Sequence, residues 1–438
     1  MRKPRDHEYI LALDISLDSL DTIILTPDGN WTPHHTFTNN WSGFQELKRE
    51  TLAYLSALDD PRLTLTGEST GILWWHVFYH IATDPDFAPY DPALALLNPL
   101  HVKHFRKAQP EDHKTDADDP RLIATYYHTI GVKNYYTFDL RYLPLRQLTR
   151  AYCRLIHTLA AEKAFALTLI YLLASEYPRL KPFSDLFGVT STSILTDYPD
   201  IAAIADISLD TLTATLDTLA RGRLKDAAKS ATILHQVAQD SYPLPETLRT
   251  AVSTTLQMTI EHIRFLQDQR QTCYTLIETE LDQLPEARHA LEYHGLGPVM
   301  VGGCLGEIQD TRRFITGRKF DRHTHQWRER TYRDGQAAVA KLAGLWWPRN
   351  SSGRFEGQDR HLGHERNPYL RYWFTQAAYS LKGKQEEYAD YYQRKYHEVT
   401  KYQHKRALIL TARKAVRLIF ALLHKGQMAR LKEETSTS

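Results

Sequence analysis

Cysteine is scarce: three residues, Cys153, Cys273 and Cys304, are spread through 438 positions. Their odd number and wide spacing exclude a disulfide framework and a cysteine-based metal motif, and suit a reducing cytosol. Uninterrupted apolar runs of about 18 residues are also missing, so no segment is expected to span a membrane. The opening MRKPRDHEYILALDIS starts basic, but charge breaks the apolar stretch within a few residues. It reads as a first strand rather than a signal peptide. His101, His104 and His113 lack zinc-ligand spacing. A net excess of charge is absent too, at +2 overall. That argues against a nucleic-acid partner only until the charge is followed along the chain. Residues 286–438 hold 28 lysines and arginines against 16 acids, and the remainder is net acidic. The last third therefore has the balance of a phosphate-binding surface.

Length predicts two or three domains. Residues 8–15 (EYILALDI) and 20–26 (LDTIILT) are β-rich apolar runs separated from a further candidate strand, 32–39, by the turn signal PDGN. WSGFQELKRETLAYLSAL carries apolar residues at helical spacing, with Ser42 as candidate N-cap. RLTLTGES reads as a strand ending at Glu68, STGILWWHVFYHIAT as a helix, ALALLNPLHVKHF as a strand and turn, and RLIATYYHTI as a helix. The order β-β-β-α-β-α-β-α with acids at strand ends is the RNase H-like pattern, against a generic α/β domain as the bland alternative. From about 145 to 285 the text is helical. Apolar residues from Leu248 to Leu284 recur by threes and fours, a seam suited to a coiled coil, a long hairpin or a buried helix face. Residues 181–242 read as a smaller helical insertion. HGLGPVMVGGCLGEI predicts two helices joined by glycine. Such a hairpin either offers backbone amides to a phosphate or simply lets two helices pack closely. RKFDRHTHQWRERTYRD is basic and aromatic. The last segment is helical, with Gly426 as its stop and KEETSTS as a disordered tail.

The chemistry rests on acids. Asp14 lies in LALDISLD, Glu68 in LTGESTG, and Asp116 and Asp119 in HKTDADD, with Asp118 competing for the last place. An acid between two apolar strand halves needs a reason, because a buried carboxylate is costly. Glu68 before Ser-Thr-Gly would equally suit a helix N-terminus. Carboxylates arriving on separate elements are how a chain holds two Mg²⁺ or Mn²⁺ ions about 4 Å apart, since hard cations need several oxygen ligands. Lys103, Arg106 and Lys114 stand beside these acids and are candidate contacts to a substrate backbone.

A second signal lies in AGLWWPRNSSGRF. Ser352, with Ser351 as fallback, is the candidate nucleophile, because a hydroxyl in place of water leaves a covalent phosphoserine. Arg349, Arg354 and Arg371 are the candidate phosphate contacts around it. Ser-Ser-Gly is more often just a loop. Trp74–Trp75 and Trp346–Trp347 read as core aromatics, with base stacking the weaker reading for the second pair. Acid cluster and late serine together suggest DNA strand transfer rather than plain nuclease action.

These motifs resemble the DEDD transposases of insertion sequences that act as bridge-RNA-guided recombinases. LALDISLDSLDTIIL is similar to the family's opening strand, LTGESTGILWW to its Glu-Ala/Ser-Thr-Gly motif, and NPLHVKHFRKAQPEDHKTDADDPRLIA to its Lys-Thr-Asp-x-x-Asp signature, which selects Asp116 and Asp119 over Asp118. HGLGPVMVGGCLGEI, LAGLWWPRNSSG and NPYLRYWFTQAA resemble its C-terminal motifs, with the nucleophile falling on Ser352. Departures are Leu17 where lysine is common, Pro120 where alanine is usual, Arg366 in place of glycine, and about 17 extra basic-aromatic residues near 318–334. The resemblance implies a RuvC-like (RNase H fold) α/β domain at 1–150, a helical or coiled-coil middle at 151–285, and an all-α transposase domain at 286–438. It implies Mg²⁺ or Mn²⁺ at Asp14, Glu68, Asp116 and Asp119 and a 5′-phosphoserine at Ser352. Donor and target DNA, a structured guide RNA and a dimer or tetramer are the implied partners, in the cytoplasm on the nucleoid. The alternative reading is a RuvC-type endonuclease that uses water.

Overall fold

The computed structural model describes residues 7–108, 118–132, 135–198, 200–321, 324–347, 351–352, 355–356, 362–363 and 367–437. The chain divides into two compact units, residues 1–139 and 140–438. The expected middle and C-terminal regions thus share the second unit.

Unit one is built on a mixed sheet of β1 (Glu8–Ile15), β2 (Ser19–Leu25), β3 (His35–Thr38), β4 (Arg62–Glu68) and β5 (Ala93–Leu97). Their order is β3-β2-β1-β4-β5. β1, β2 and β3 run antiparallel, whereas β4 and β5 run parallel to β1. β1 is central and buried on both faces, which accounts for its near-continuous apolar text. Helices α1 (Trp41–Ser56) and α2 (Trp74–Thr83) cover one face, α3 (Pro99–Lys107) and α4 (Asp118–Ile130) the other. Period-two alternation sorts the side chains. Leu11, Leu13, Leu63 and Leu65 pack with Phe44, Leu47, Trp74 and Phe78. Ile10, Ala12, Ala95 and Leu97 pack with Val102, Ile123, Ala124 and Tyr127.

Two local expectations change here. The N-cap of α1 is Asn40, whose side chain accepts from the Gly43 amide, not Ser42. Asn40 holds the extended backbone a cap requires, and Ser42 is already helical. The turn expected after β5 is the helix α3, started by Asn98 as cap and Pro99 at its first position. PDGN does form the turn, with Gly29 at φ 82.

Unit two begins with α5 (Leu143–Leu173) and α6 (Tyr177–Leu180), followed by α7 (Val189–Asp197), α8 (Leu209–Ala220), α9 (Ala227–Asp240) and α10 (Glu246–Asp282). α5 and α10 form an antiparallel pair. The Cys273 thiol donates to the Leu148 carbonyl at 3.3 Å, and far along the pair His262 lies 3.5 Å from Glu162. One end of the pair joins the core beneath α7–α9, through Leu159, Ile170, Leu256 and Ile263. Among the described residues α5 is the one helix long and apolar enough to cross a membrane, by length and composition. It nevertheless carries Arg146, Arg150, Arg154, Glu162 and Lys163 and walls two cores.

Next come α11 (Arg288–Leu291), α12 (Pro298–Ile308), α13 (Arg312–Ile315), the hairpin β6 (Arg318–Asp321) and β7 (Gln326–Glu329), and α14 (Tyr332–Leu342). The short pair β8 (Ser351–Ser352) and β9 (Phe355–Glu356) precedes α15 (Pro368–Lys384), α16 (Glu386–His397) and α17 (Gln403–Thr437). The glycines of α12 serve close packing: a Cβ at Gly303 would meet the Trp373 indole at 2.3 Å, and one at Gly306 the Arg146 backbone at 2.9 Å. α17 does not stop at Gly426, and it continues through the expected tail to Thr437. A Cβ at Gly426 would lie 2.0 Å from the Glu286 carbonyl oxygen, so this glycine is required by a close approach rather than by a helix end.

Candidate carboxylate site

β1 and β4 pair in parallel from Glu8–Arg62 to Leu13–Gly67. The next residue on each strand is an acid, Asp14 and Glu68. Both stand at the carboxyl ends of neighbouring parallel strands, where α/β folds place ligands. By alternation both face the helix layer of α3 and α4. On the other side of Asp14 its cross-strand partner is Asp21 of β2. Asp119 enters from the first turn of α4.

The charges of Asp14 and Asp119 both act on Glu68. Burial raises the Glu68 carboxyl above the ordinary range, and the charges of Asp14 and Asp119 push it further. The Thr70 hydroxyl, which donates to Glu68 Oε2 at 3.4 Å, and the Arg106 cation oppose that rise. Arg106 of α3 donates to and ion-pairs with Asp119, whose side chain is 15% exposed. Arg106 therefore acts within the acid cluster, which its place in a basic loop text did not reveal. Lys103 lies exposed on the same helix. Asp118 shares the first turn of α4 with Asp119. Lys114 and Asp116 lie outside the described residues.

Two acids of this domain escaped the sequence reading. Asp21 accepts from Thr36 at 2.6 Å and Ser19 at 3.1 Å and lies 3.2 Å from His34. Glu8, only 3% exposed, accepts from Thr64 and, at 3.0 Å, from Tyr127, whose hydroxyl burial holds strongly protonated. For Glu8 the alternation of β1 was the signal, since Glu8 and Asp14 are both even-numbered positions on one face.

Would these residues suit a divalent cation? All their donors are carboxylate oxygens, which suit a hard ion. Burial and, after it, the charges of Asp14 and Asp119 raise the Glu68 carboxyl, and the Arg106 charge opposes that rise without cancelling it. Among the described residues no three ligating side chains already close round one position. The donor chemistry fits such an ion.

In unit two, Ser351 pairs with Glu356 and Ser352 with Phe355. The segment between α14 and α15 that carries them is tied at its root. The Asn367 amide donates to the Leu342 carbonyl at 2.7 Å, and Arg371 donates to the carbonyls of Ala343 at 3.1 Å and Gly344 at 2.6 Å. Asn367 also donates to Glu307 at 2.7 Å, and Arg150 donates to the same carboxylate at 2.6 and 3.0 Å. Arg371 thus spends donors on backbone carbonyls. Arg349 and Arg354 lie outside the described residues. Trp74 is a core residue of unit one, while Trp346 and Trp347 are half-buried.

A sheet with acids gathered at the ends of its parallel strands, facing the first turn of a helix, defines unit one as an α/β domain with a carboxylate site. Residues 11–173 match the family model of the IS110-type DEDD transposases, described as Transposase. This stretch is similar to that family, and it contains Asp14, Glu68, Asp116 and Asp119. No curated protein matches the chain. The family is one of insertion-sequence transposases.

Proposed function

We propose that this chain is a transposase that cuts and rejoins DNA strands through a covalent serine intermediate, guided by a structured RNA. The convergence of Asp14, Glu68 and Asp119 on one end of the sheet carries the reading. The strand order, three antiparallel strands followed by two parallel ones, supports an RNase H or RuvC-like origin for unit one. With Asp116, these acids would hold one or two Mg²⁺ or Mn²⁺ ions. When bound, the cation supplies Lewis-acid stabilisation to charge on the phosphodiester.

The residues of the chain supply the rest. The Ser352 hydroxyl attacks phosphorus, a serine Oγ–P bond forms, and the P–O3′ bond breaks. The 3′ oxygen leaves with a proton, and the DNA remains as a 5′-phosphoserine until a second 3′-hydroxyl reverses the step. Lys103, Lys114, Arg349 and Arg354 would contact phosphates of the substrate backbone. The α5–α10 pair serves as a surface for dimers or tetramers.

A labelled donor DNA, the RNA that copurifies with the protein, and Mg²⁺ would be incubated and run on a denaturing protein gel. A labelled adduct that disappears in Ser352→Ala, with Ser351 intact, is the expected result. Cleavage that survives Ser352→Ala and is lost in Asp14→Asn would instead establish the water-using RuvC-type endonuclease.

A further inference from the structure

Unit two contains a cleft of about 150 Å³ between α14 and α17, lined by Arg333, Gln336, Ala337, Arg413, Val416 and Arg417. The spacing makes this site. Arg333, Gln336 and Ala337 are i, i+3 and i+4 on one helix, and Arg413, Val416 and Arg417 repeat the pattern on the other, so each set forms one face. Three arginines thus converge on one hollow, and none of the lining residues is acidic. Arg333 and Arg417 are exposed at the rim. Arg413 is half-buried, and its Nη1 atom is fully buried with no hydrogen-bond partner.

Such an arrangement is unfavourable without a ligand. A buried guanidinium nitrogen lacking an acceptor loses its water and gains nothing in return. Burial and the adjacent Arg417 charge both disfavour the protonated form of Arg413. The neighbouring acid at the start of α14, Asp334, is already taken by Lys319 at 2.8 Å and Arg328 at 2.5 Å. A tetrahedral oxyanion would satisfy the unmatched donors, since arginine forks fit phosphate oxygens two at a time. The apolar walls of Ala337 and Val416 would strengthen the attraction by excluding water.

We propose that the α14–α17 cleft binds a phosphate group, held by Arg413 at its floor and by Arg333 and Arg417 at its rim. The phosphate comes from either a nucleic-acid backbone or a free oxyanion. This inference is independent of the strand-transfer chemistry and of Ser352.

Thermal unfolding of the full chain in sodium phosphate, against sodium chloride at equal ionic strength, tests it directly. Phosphate is expected to raise the Tm of the wild type and to lose that effect in Arg413→Gln and in Arg417→Gln. Because Arg413 is uncompensated, Arg413→Gln is expected to unfold no lower than wild type in chloride; Arg417→Gln, at the rim, keeps the test valid if the first variant does not fold. Binding of a labelled DNA duplex over a salt series separates the sources. If a backbone phosphate fills the cleft, the slope of log Kd against log salt becomes shallower by about one in the double variant, since each neutralised phosphate contributes about 0.9. An unchanged slope with a lost phosphate effect assigns the site to a free oxyanion. A wild-type Tm indifferent to phosphate, together with an unchanged slope in the double variant, overturns the proposal.

Discussion

Asp14 and Glu68 stand side by side on neighbouring parallel strands, one residue past the Leu13–Gly67 register pair. Their carboxylates repel, and burial adds to the cost of Glu68 as an anion. The consequence for stability has a definite sign. A group whose folded pKa is raised favours the folded state only when protonated. The folded state therefore carries no penalty from Glu68 below the ordinary value of 4.5, and acquires one as pH rises through the raised pKa. Glu68→Gln is expected to increase Tm at pH 7 and to leave it unchanged at about pH 4. Equal Tm shifts at both pH values would show that Glu68 is not strained by its neighbours.

The same surplus charge makes the fold sensitive to divalent cations. Mg²⁺ is expected to raise the wild-type Tm, because a ligand bound only by the folded state stabilises it by mass action. Asp14→Asn should abolish that rise. Arg106 sits in the cluster as a competing cation on Asp119. Arg106→Ala is therefore expected to lower stability slightly in the absence of metal, by less than about 1 kcal/mol because the guanidinium is well exposed, while shifting the Mg²⁺ titration midpoint to lower concentration. A midpoint that does not move would mean that Arg106 does not compete for the site.

How far this could be read beforehand depends on the range of the interactions involved. The strands carrying Asp14 and Glu68 were legible because strand alternation and strand ends are local properties of the text, whereas the order of strands in the sheet was not. The pairing of Arg106 with Asp119 was not, since it joins residues on α3 and α4 across a packed face. Gly426 misled for the same reason: nothing near it in sequence records the Glu286 carbonyl that demands a glycine there. The glycines of α12 left two readings open, and only the position of Trp373 against Gly303 decides for packing. Arg413 and Arg417 drew no notice in the sequence, because their shared hollow needs the partner helix α14.

Gly426 yields a sharp stability prediction. Its backbone meets the Glu286 carbonyl so closely that a methyl group cannot be accommodated without moving one helix away from the other. Glu286 itself is fixed by Arg141 at 2.7 Å and Tyr142 at 2.7 Å, so it has little freedom to yield. Gly426→Ala is expected to cost about 3 kcal/mol, at the upper end of overpacking effects, although alanine is the better helix former. A variant as stable as the wild type in a denaturant titration would show that α17 is free to shift.

Arg371 separates structural from substrate-binding arginines. Its guanidinium donates to the Ala343 and Gly344 carbonyls, closing the C-terminal end of α14 onto the start of α15. These are charge-assisted bonds, and losing them should cost about 2 kcal/mol. Arg371→Ala is thus expected to lower stability while leaving the salt slope of DNA binding unaltered, because donors committed to carbonyls have little left for phosphates. It should also slow formation of the serine adduct, since the segment carrying Ser352 is rooted at this contact. Arg371→Lys would keep the charge but lose the fork, so partial rescue of stability with persistently slow adduct formation would identify geometry as the contribution of the arginine. A slope shallower by about one in Arg371→Ala would instead identify a direct phosphate contact.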